Sequence, residues 1–213
     1  MKENLIVRLL GRQDYLSCFE AMKQFTQERD EHTIDEIWLL EHNPVFTQGQ
    51  NGKSEHVLDP GNIPVIPVDR GGQVTYHGPG QLVVYTLVDL RRKKLNVREI
   101  VMVLEKSVIQ VLENHQLTAS AKREAPGVYI DNKKICSIGL RIKKGCSYHG
   151  LAFNISMDLE PFSRINPCGY KQLKMTQLAD FKLDVDIKTV EKQLIDYLTA
   201  NLGYNMPLTK IEL

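Results

Sequence analysis

Residues 69–85 constrain the fold more than any other part of this chain. They read Asp69, Arg70, Gly71, Gly72, Gln73, Val74, Thr75, Tyr76, His77, Gly78, Pro79, Gly80, Gln81, and then the apolar Leu82, Val83, Val84 and Tyr85. Glycine lets backbone turn sharply or come close to a ligand, and Pro79 stiffens the second of the two turns. Between the turns lies a short β-like piece, residues 73–76. After them comes a strongly apolar run, residues 82–87. A floor built this way, with a histidine in it, suits a substrate cradle. The same pattern also describes a hairpin whose glycines serve only its turns. The choice between the two has to come from the rest of the chain.

Strand and helix signals surround this stretch in mixed order. Residues 5–10 read as a strand. Residues 13–27 read as a helix with one apolar stripe at Tyr15, Cys18, Phe19, Met22 and Phe25. Residues 37–40 form a short, buried-looking strand, which residues 42–49 leave through a Pro/Gly loop. Residues 50–62 are a polar surface loop, and residues 65–68 a strand that leads into the cradle. Asn96 with Glu99 resembles a capping box for a helix to about His115, apolar on one side at Ile100, Leu104, Val108 and Val111. A tight turn at Asp131 and Asn132 joins strands at 128–130 and 134–142. Residues 147–155 alternate, which places His149, Leu151, Phe153 and Ile155 on one face. Pro167, Cys168 and Gly169 make a turn. Residues 187–202 form an amphipathic helix with Asp186 as cap and Gly203 as stop. The expected class is α+β, a mixed, largely antiparallel sheet with packing helices. No linker divides the chain, so a single domain over residues 1–213 is expected, with room for a small C-terminal subdomain from about residue 168.

Of the 213 residues 42% are hydrophobic and 25% charged, with a net charge of +1, so there is no global case for nucleic-acid or membrane binding. Residues 1–8 alternate like a strand with charges inside, so no signal peptide is expected. No apolar run approaches the ~20 residues of a membrane helix. Cys18, Cys136, Cys146 and Cys168 do not cluster, which predicts free thiols in a reduced, cytoplasmic protein.

Cys168 is the first chemical candidate. It sits between Pro and Gly, where a buried structural cysteine is out of place, and a loop thiol beside a cation makes a good nucleophile. Lys133 and Lys134 supply cations, and two adjacent lysines are expected to lower each other's pKa. Cys136 lies inside an apolar strand and reads as inert core. Cys146 and His149 give half of a zinc pattern with no second pair to complete it, so no metal is expected. His77 and His149 read as chemical groups or as hydrogen-bonded core residues. Phosphate-loop and serine-hydrolase signatures are absent from the sequence.

Four ordered blocks resemble the signature of the lipoyl(octanoyl) transferase family: Arg70 through Leu82; Lys134, Ile135, Cys136, Ser137, Ile138 and Gly139; His149, Gly150, Leu151, Ala152, Phe153 and Asn154; and Pro167, Cys168 and Gly169. Pro44, Val45, Phe46, Thr47, Gln48 and Gly49 fit more loosely, and Cys136 stands where a small residue such as Ala is usual. The resemblance implies the fold of biotin and lipoate protein ligase catalytic domains. It also implies transfer of octanoate from acyl carrier protein to a lysine of lipoyl domains, those of 2-oxoacid dehydrogenase complexes and of glycine cleavage H protein, with no cofactor. Cys168 then falls on the acyl-thioester nucleophile and Lys134 on the lysine that activates it. Arg70, Gly71, Gly72, Gln73, Val74, Thr75, Tyr76 and His77 fall on the acyl-substrate pocket, as do Ser137, Ile138, Gly139, His149, Gly150, Leu151 and Ala152. The basic clusters at 91–94, 122–123 and 143–144 gain a role in steering acidic protein partners, beside the plainer reading of solvated faces. The rivals are an ATP-dependent ligase on the same fold, an amidotransferase with a different donor, and an acyl-carrier binding module. The turn His77, Gly78, Pro79, Gly80, Gln81 favours the transferase over the ligase.

Overall fold

A strand that is apolar on both sides has to be covered on both sides, and residues 82–87 impose that on the whole molecule. The computed structural model describes residues 4–170, 173–182, 184–205 and 207–210. Met1, Lys2 and Glu3, the start of the strand-like alternation over residues 1–8, lie outside the described residues, as do Lys171, Gln172, Leu183, Met206, Ile211, Glu212 and Leu213. In chain order the elements are β1 (Leu5–Gln13), α1 (Tyr15–Glu28), β2 (Asp35–His42), β3 (Val45–Gln48), β4 (Val65–Pro67), β5 (Val74–His77), β6 (Gln81–Leu87), α2 (Val97–Asn114), β7 (Ser120–Ala121), β8 (Gly127–Ile130), β9 (Lys133–Lys143), β10 (Cys146–Asn154), α3 (Ile187–Asn201) and β11 (Leu208–Lys210). The main sheet runs β11-β1-β2-β6-β10-β9-β8-β7, and a second sheet runs β4-β3-β5. In the main sheet β11, β1 and β2 are parallel and the remaining pairs antiparallel. The class is therefore α+β with a mixed, largely antiparallel sheet, as expected.

Alternation along the central strands sorts the core into two layers. Ile37, Leu39, Leu82, Val84, Leu151 and Phe153 face α2 and α3, which contribute Ile100, Leu104, Val108, Leu194 and Leu198. Trp38, Leu40, Val83, Tyr85 and Ala152 face the other way, toward Tyr15, Cys18, Phe19 and Met22 of α1. The helices start where their caps place them. Asp14 accepts from Ser17 N–H, Asn96 and Glu99 close a reciprocal capping box, and Asp186 accepts from the amides of Lys188 and Thr189. Asp131 and Asn132 both take positive φ between β8 and β9, as a tight hairpin requires.

Three expectations change. Residues 45–48 are not a loop: they pair antiparallel with β5 and parallel with β4. Pro44 misled here, because it stops one strand without preventing the next. The first strand reaches Gln13 through an irregularity between Leu9 and Gly11. His149 does not share a face with Leu151, Phe153 and Ile155. Its φ of +58° breaks the alternation and turns its ring toward Phe19, Tyr85 and Tyr148.

The glycine stretch joins the two sheets. After β5 the chain turns at Gly78, Pro79 and Gly80 and enters β6. Gly80 has φ +82°, and a Cβ there would meet Ser156 O at 1.8 Å, so no side chain fits. Its amide is held by a Glu41 carboxylate oxygen at 2.6 Å.

Asp35 ties the far end of the sheet together. One oxygen accepts from Arg29 (2.5 Å), Arg92 (2.7 Å) and the Asp89 amide (2.8 Å), and the other from Tyr204 (2.5 Å). Arg29 and Asp35 side chains are 3% and 1% exposed. Asp35→Ala strands a buried guanidinium, and we expect a loss of about 3–5 kcal/mol, measured as a lowered urea midpoint at unchanged slope.

Candidate active site

Cys168 lies in the single helical turn Pro167–Gly169 with φ 56° and ψ 16°, the left-handed region that a side chain seldom adopts. Among the described residues seven non-glycine positions have positive φ, and five of them are turn or helix-end residues. The other two are Cys168 and the mid-strand His149. Both line the same cavity. The segment carrying Cys168 is pinned at both ends. Before it, the Asn166 amide donates to His56 O at 2.8 Å. After it, the Lys134 amide donates to Lys174 O (2.8 Å) and the Thr176 amide to Lys134 O (3.0 Å).

Those last two bonds bring Lys134 under the thiol. Lys134 is the second residue of β9 and its side chain points inward, 1% exposed. Its Nζ donates to Cys168 Sγ at 3.2 Å and to Pro126 O at 3.0 Å, and lies 5.4 Å from the centre of the Tyr129 ring. Burial by itself lowers the Lys134 pKa. Its neighbours, the Cys168 sulfur first and the Tyr129 oxygen second, oppose it, and the net direction is upward. The expected mutual effect of Lys133 and Lys134 therefore fails. Strand alternation sends Lys133 out to solvent while Lys134 turns in, and the groups that set the Lys134 charge are Cys168 and Tyr129.

The cavity of about 250 Å³ is walled by the glycine stretch, β6, β9, β10 and the Cys168 turn. Arg70, Gly71, Gly72, Gln73, Val74, Thr75 and His77 line it. So do Ser137, Ile138 and Gly139 of β9, and His149, Gly150, Leu151 and Ala152 of β10. Tyr76 is the exception among the expected pocket residues. It packs between Phe46 and Phe162, away from the cavity, because alternate residues of β5 face opposite ways. The glycine stretch is thus a cavity wall, not merely a hairpin. Tyr15, Asn51, Val83, Tyr85, Glu124, Ala125, Pro126 and Tyr170 also line the cavity and were not anticipated. Tyr85 carried a signal, a hydroxyl within a run of buried aliphatics. Asn51 and Glu124 carried none.

A chain of hydrogen bonds runs along the polar side of this cavity. Arg70 Nη2 donates to Thr47 O (2.6 Å) and Oγ1 (2.9 Å). Thr47 Oγ1 meets His77 Nε2 at 3.3 Å, and His77 Nδ1 meets Gln81 Oε1 at 2.7 Å. Gln81 Nε2 donates to Asn154 Oδ1 (2.9 Å), whose amide donates to Thr176 O (2.9 Å). The amide ends fix the tautomer: His77 donates through Nδ1 and accepts through Nε2. Burial, with the nearby His42, pushes the His77 pKa down to about 3, and burial pushes that of His42 to about 4. His149 is also lowered by burial, against the opposing Asp69 carboxylate at 3.1 Å from Nε2. Asp69 is held in turn by the Tyr148 hydroxyl.

The remaining candidates fall outside the site. Cys136 is fully buried, and burial pushes its thiol pKa far up. Cys146 faces Lys144 O, whereas His149 faces Asp69. Among the described residues no group of three or more His, Cys, Asp or Glu side chains is placed to hold a metal ion. In the basic cluster at 91–94, Arg91 is bonded to Asp89 and Arg92 to Asp35, and the Lys93 ammonium sits 3.9 Å over the Tyr204 ring. No helix is long and apolar enough to cross a membrane among the described residues.

Residues 14–199 match the family model described as lipoyl protein ligase A/B catalytic domain. An octanoyltransferase of Vibrio cholerae is 61% identical over 96% of this chain and 94% of its own, and one of Marinobacter nauticus is 55% identical over 95% of each. A solved lipoate-protein ligase A bound with ATP superposes with a TM-score of 0.79 at 16% identity, over 100% of this chain and 90% of its own. A biotin protein ligase from Aquifex aeolicus superposes at 0.56 and 17% identity, over 95% and 69%.

His42 and His77 set a pH dependence. Both stay neutral in the fold down to pH of about 4 and 3, but histidine titrates near 6.5 in an unfolded chain. Below about pH 6.5 the unfolded state therefore binds protons that the fold does not. Stability falls as pH drops from about 6.5 toward 4, and these residues contribute no slope above that window. Imidazole ¹⁵N shifts at pH 5.5 should show both rings still neutral.

Proposed function

The chain belongs to the lipoyl protein ligase A/B catalytic domain family and is an acyltransferase, and from that premise we propose that it carries an octanoyl group from octanoyl-acyl carrier protein, through a thioester on Cys168, to a lysine of lipoyl domains. The acceptors on this reading are the lipoyl domains of 2-oxoacid dehydrogenase complexes and glycine cleavage H protein. The observation that carries the reading is the 3.2 Å bond from Lys134 Nζ to Cys168 Sγ at the wall of the cavity. We propose further that the whole chain acts as one catalytic domain, supported by the core that α3 shares with α2 and the sheet. A cytoplasmic setting suits its four free cysteines.

The chemistry runs in two halves. The Cys168 thiolate, paired with the Lys134 ammonium, adds to the carbonyl of the donor thioester. The tetrahedral oxyanion collapses, the donor sulfur leaves as thiolate, and it takes a proton from Lys134. The physical reason Lys134 can give that proton lies in its surroundings. Burial favours neutral Lys134, and the thiolate's charge is the largest influence that opposes it. Acylation removes that charge, and burial then dominates. Neutral Lys134 takes a proton from the acceptor amine as the amine attacks the acyl-Cys168 carbonyl. The amide forms, the Cys168 thiolate is released, and the pair is restored. Thioester to amide is downhill, so the scheme needs no nucleotide. The aliphatic side chains of Val83 and Ala152, on the cavity side of β6 and β10, suit an eight-carbon chain, at about 0.8 kcal/mol per buried CH₂. Arg70, Gly71, Gly72, Gln73, Thr75, His77, Ser137, Ile138, Gly139, His149 and Gly150 complete the proposed acyl and thioester pocket, with His77 a neutral hydrogen-bonding group and not a proton carrier.

The test is to mix the protein with octanoyl-acyl carrier protein without ATP and follow intact mass and peptide maps. An octanoyl adduct on Cys168, discharged by a lipoyl domain, is expected, and Cys168→Ser should show none. Transfer of free octanoate only when ATP is added, with no adduct, would overturn the scheme in favour of a ligase.

A further inference from the structure

Behind Lys134 a buried carboxylate is left without a part in the transfer chemistry. Glu105 lies in the middle of α2, with its side chain turned inward and buried. Its Oε1 accepts from the amide of Gly127 at 3.0 Å. That bond is one of three made by consecutive residues. The Ala125 carbonyl accepts from the Tyr129 hydroxyl at 2.7 Å, and the Pro126 carbonyl accepts from Lys134 Nζ at 3.0 Å. The segment is tight against the lysine. Gly127 has φ +141°, and a Cβ there would meet Cys136 O at 2.4 Å and Lys134 Cε at 2.8 Å. An ammonium on a four-carbon stem has many rotamers. What aims this one at sulfur is the fixed carbonyl of Pro126, and what fixes that carbonyl is the anchoring of its two neighbours.

We propose that Glu105 is a positioning residue for transfer: by holding the Gly127 amide, with Tyr129 holding the Ala125 carbonyl, it fixes the Pro126 carbonyl that directs Lys134 Nζ onto Cys168 Sγ. The proposal rests on the reading that Lys134 activates Cys168. It adds to that reading a residue on a different helix, outside the cavity wall. The hydrogen bond, not the charge, carries the effect. Gln at this position keeps an acceptor oxygen, whereas Met keeps only the length.

The test uses alkylation of Cys168 by iodoacetamide at pH 7, located by peptide mass, beside octanoyl-Cys168 formation and KM for a lipoyl-domain acceptor. Glu105→Met should slow both reactions of Cys168 by about tenfold to a hundredfold, the effect of misplacing a reacting group by around an ångström, with the acceptor KM unchanged. Glu105→Gln should restore near-native rates. Tyr129→Phe alters a direct neighbour of Lys134 Nζ as well as the Ala125 anchor, so the variant that decides the matter if Glu105→Met does not fold is Glu105→Ala, which should slow both reactions in the same way. Native rates in Glu105→Met, or in Glu105→Ala in its place, with Lys134→Met slow, overturn the positioning role and leave the Lys134–Cys168 pair intact. A Gln variant as slow as Met overturns the hydrogen-bond device. Native alkylation in Lys134→Met breaks the pair itself, and the positioning role falls with it.

Discussion

One buried ammonium organises this structure. Placing the Lys134 Nζ in an interior site costs several kcal/mol after relaxation unless its protons find partners. The partners are the Pro126 carbonyl and the face of Tyr129, from the preceding hairpin, and the Cys168 sulfur, from a distant turn. The backbone of the same residue bonds residues 174 and 176. Lys134 therefore ties the turn at 125–127, the start of β9, Cys168 and the segment that follows it to one point. Satisfying the charge and assembling the site are the same event.

The hydrogen-bond chain from Arg70 to Thr176 extends that point around the cavity. It begins at a buried guanidinium whose bonded oxygens, Thr47 O, Thr47 Oγ1 and Gly71 O, are all neutral. It ends on Thr176, whose amide bonds Lys134. Its members come from β3, β5, β6 and β10, so the small sheet is locked to the large one through side chains. Burial, with His42 nearby, holds His77 neutral, and the neutral ring keeps the acceptor that Thr47 faces.

Much of this was legible in the sequence, for reasons that can be assigned. The caps at Asn96 and Asp186 and the turn at Asp131 and Asn132 are local, and local chemistry decided them. Cys168 stood out because Pro and Gly flank it, and Lys134 because the block around it resembled a known signature. What was missed depends on the third dimension. Strand 45–48 forms because β5 and β4 offer it edges, which its own Pro44 does not reveal. His149 leaves its face because of one left-handed backbone angle. Tyr15 reaches the cavity from a helix whose periodicity says only that it is buried. The two lysines at 133 and 134 looked equivalent in sequence, and only strand alternation separates a solvated cation from a buried one.

The placement of charge also bears on how the proposed thioester would survive water. Lys134 is paired with sulfur while Cys168 is a thiolate, so a free base arises on this reading only once the acyl group is in place. From then on Lys134 would be able to take a proton from an attacking amine or from a water in the site. Selectivity then has to come from access. An acyl chain filling the apolar wall excludes water from one side of the carbonyl. The other side, bounded by Glu124, Pro126 and Tyr170, is where the acceptor lysine would enter, and its own protein would close that opening. On the proposed scheme hydrolysis would be suppressed for the same reason that transfer would be specific: the acceptor that supplies the nucleophile would also supply the missing wall.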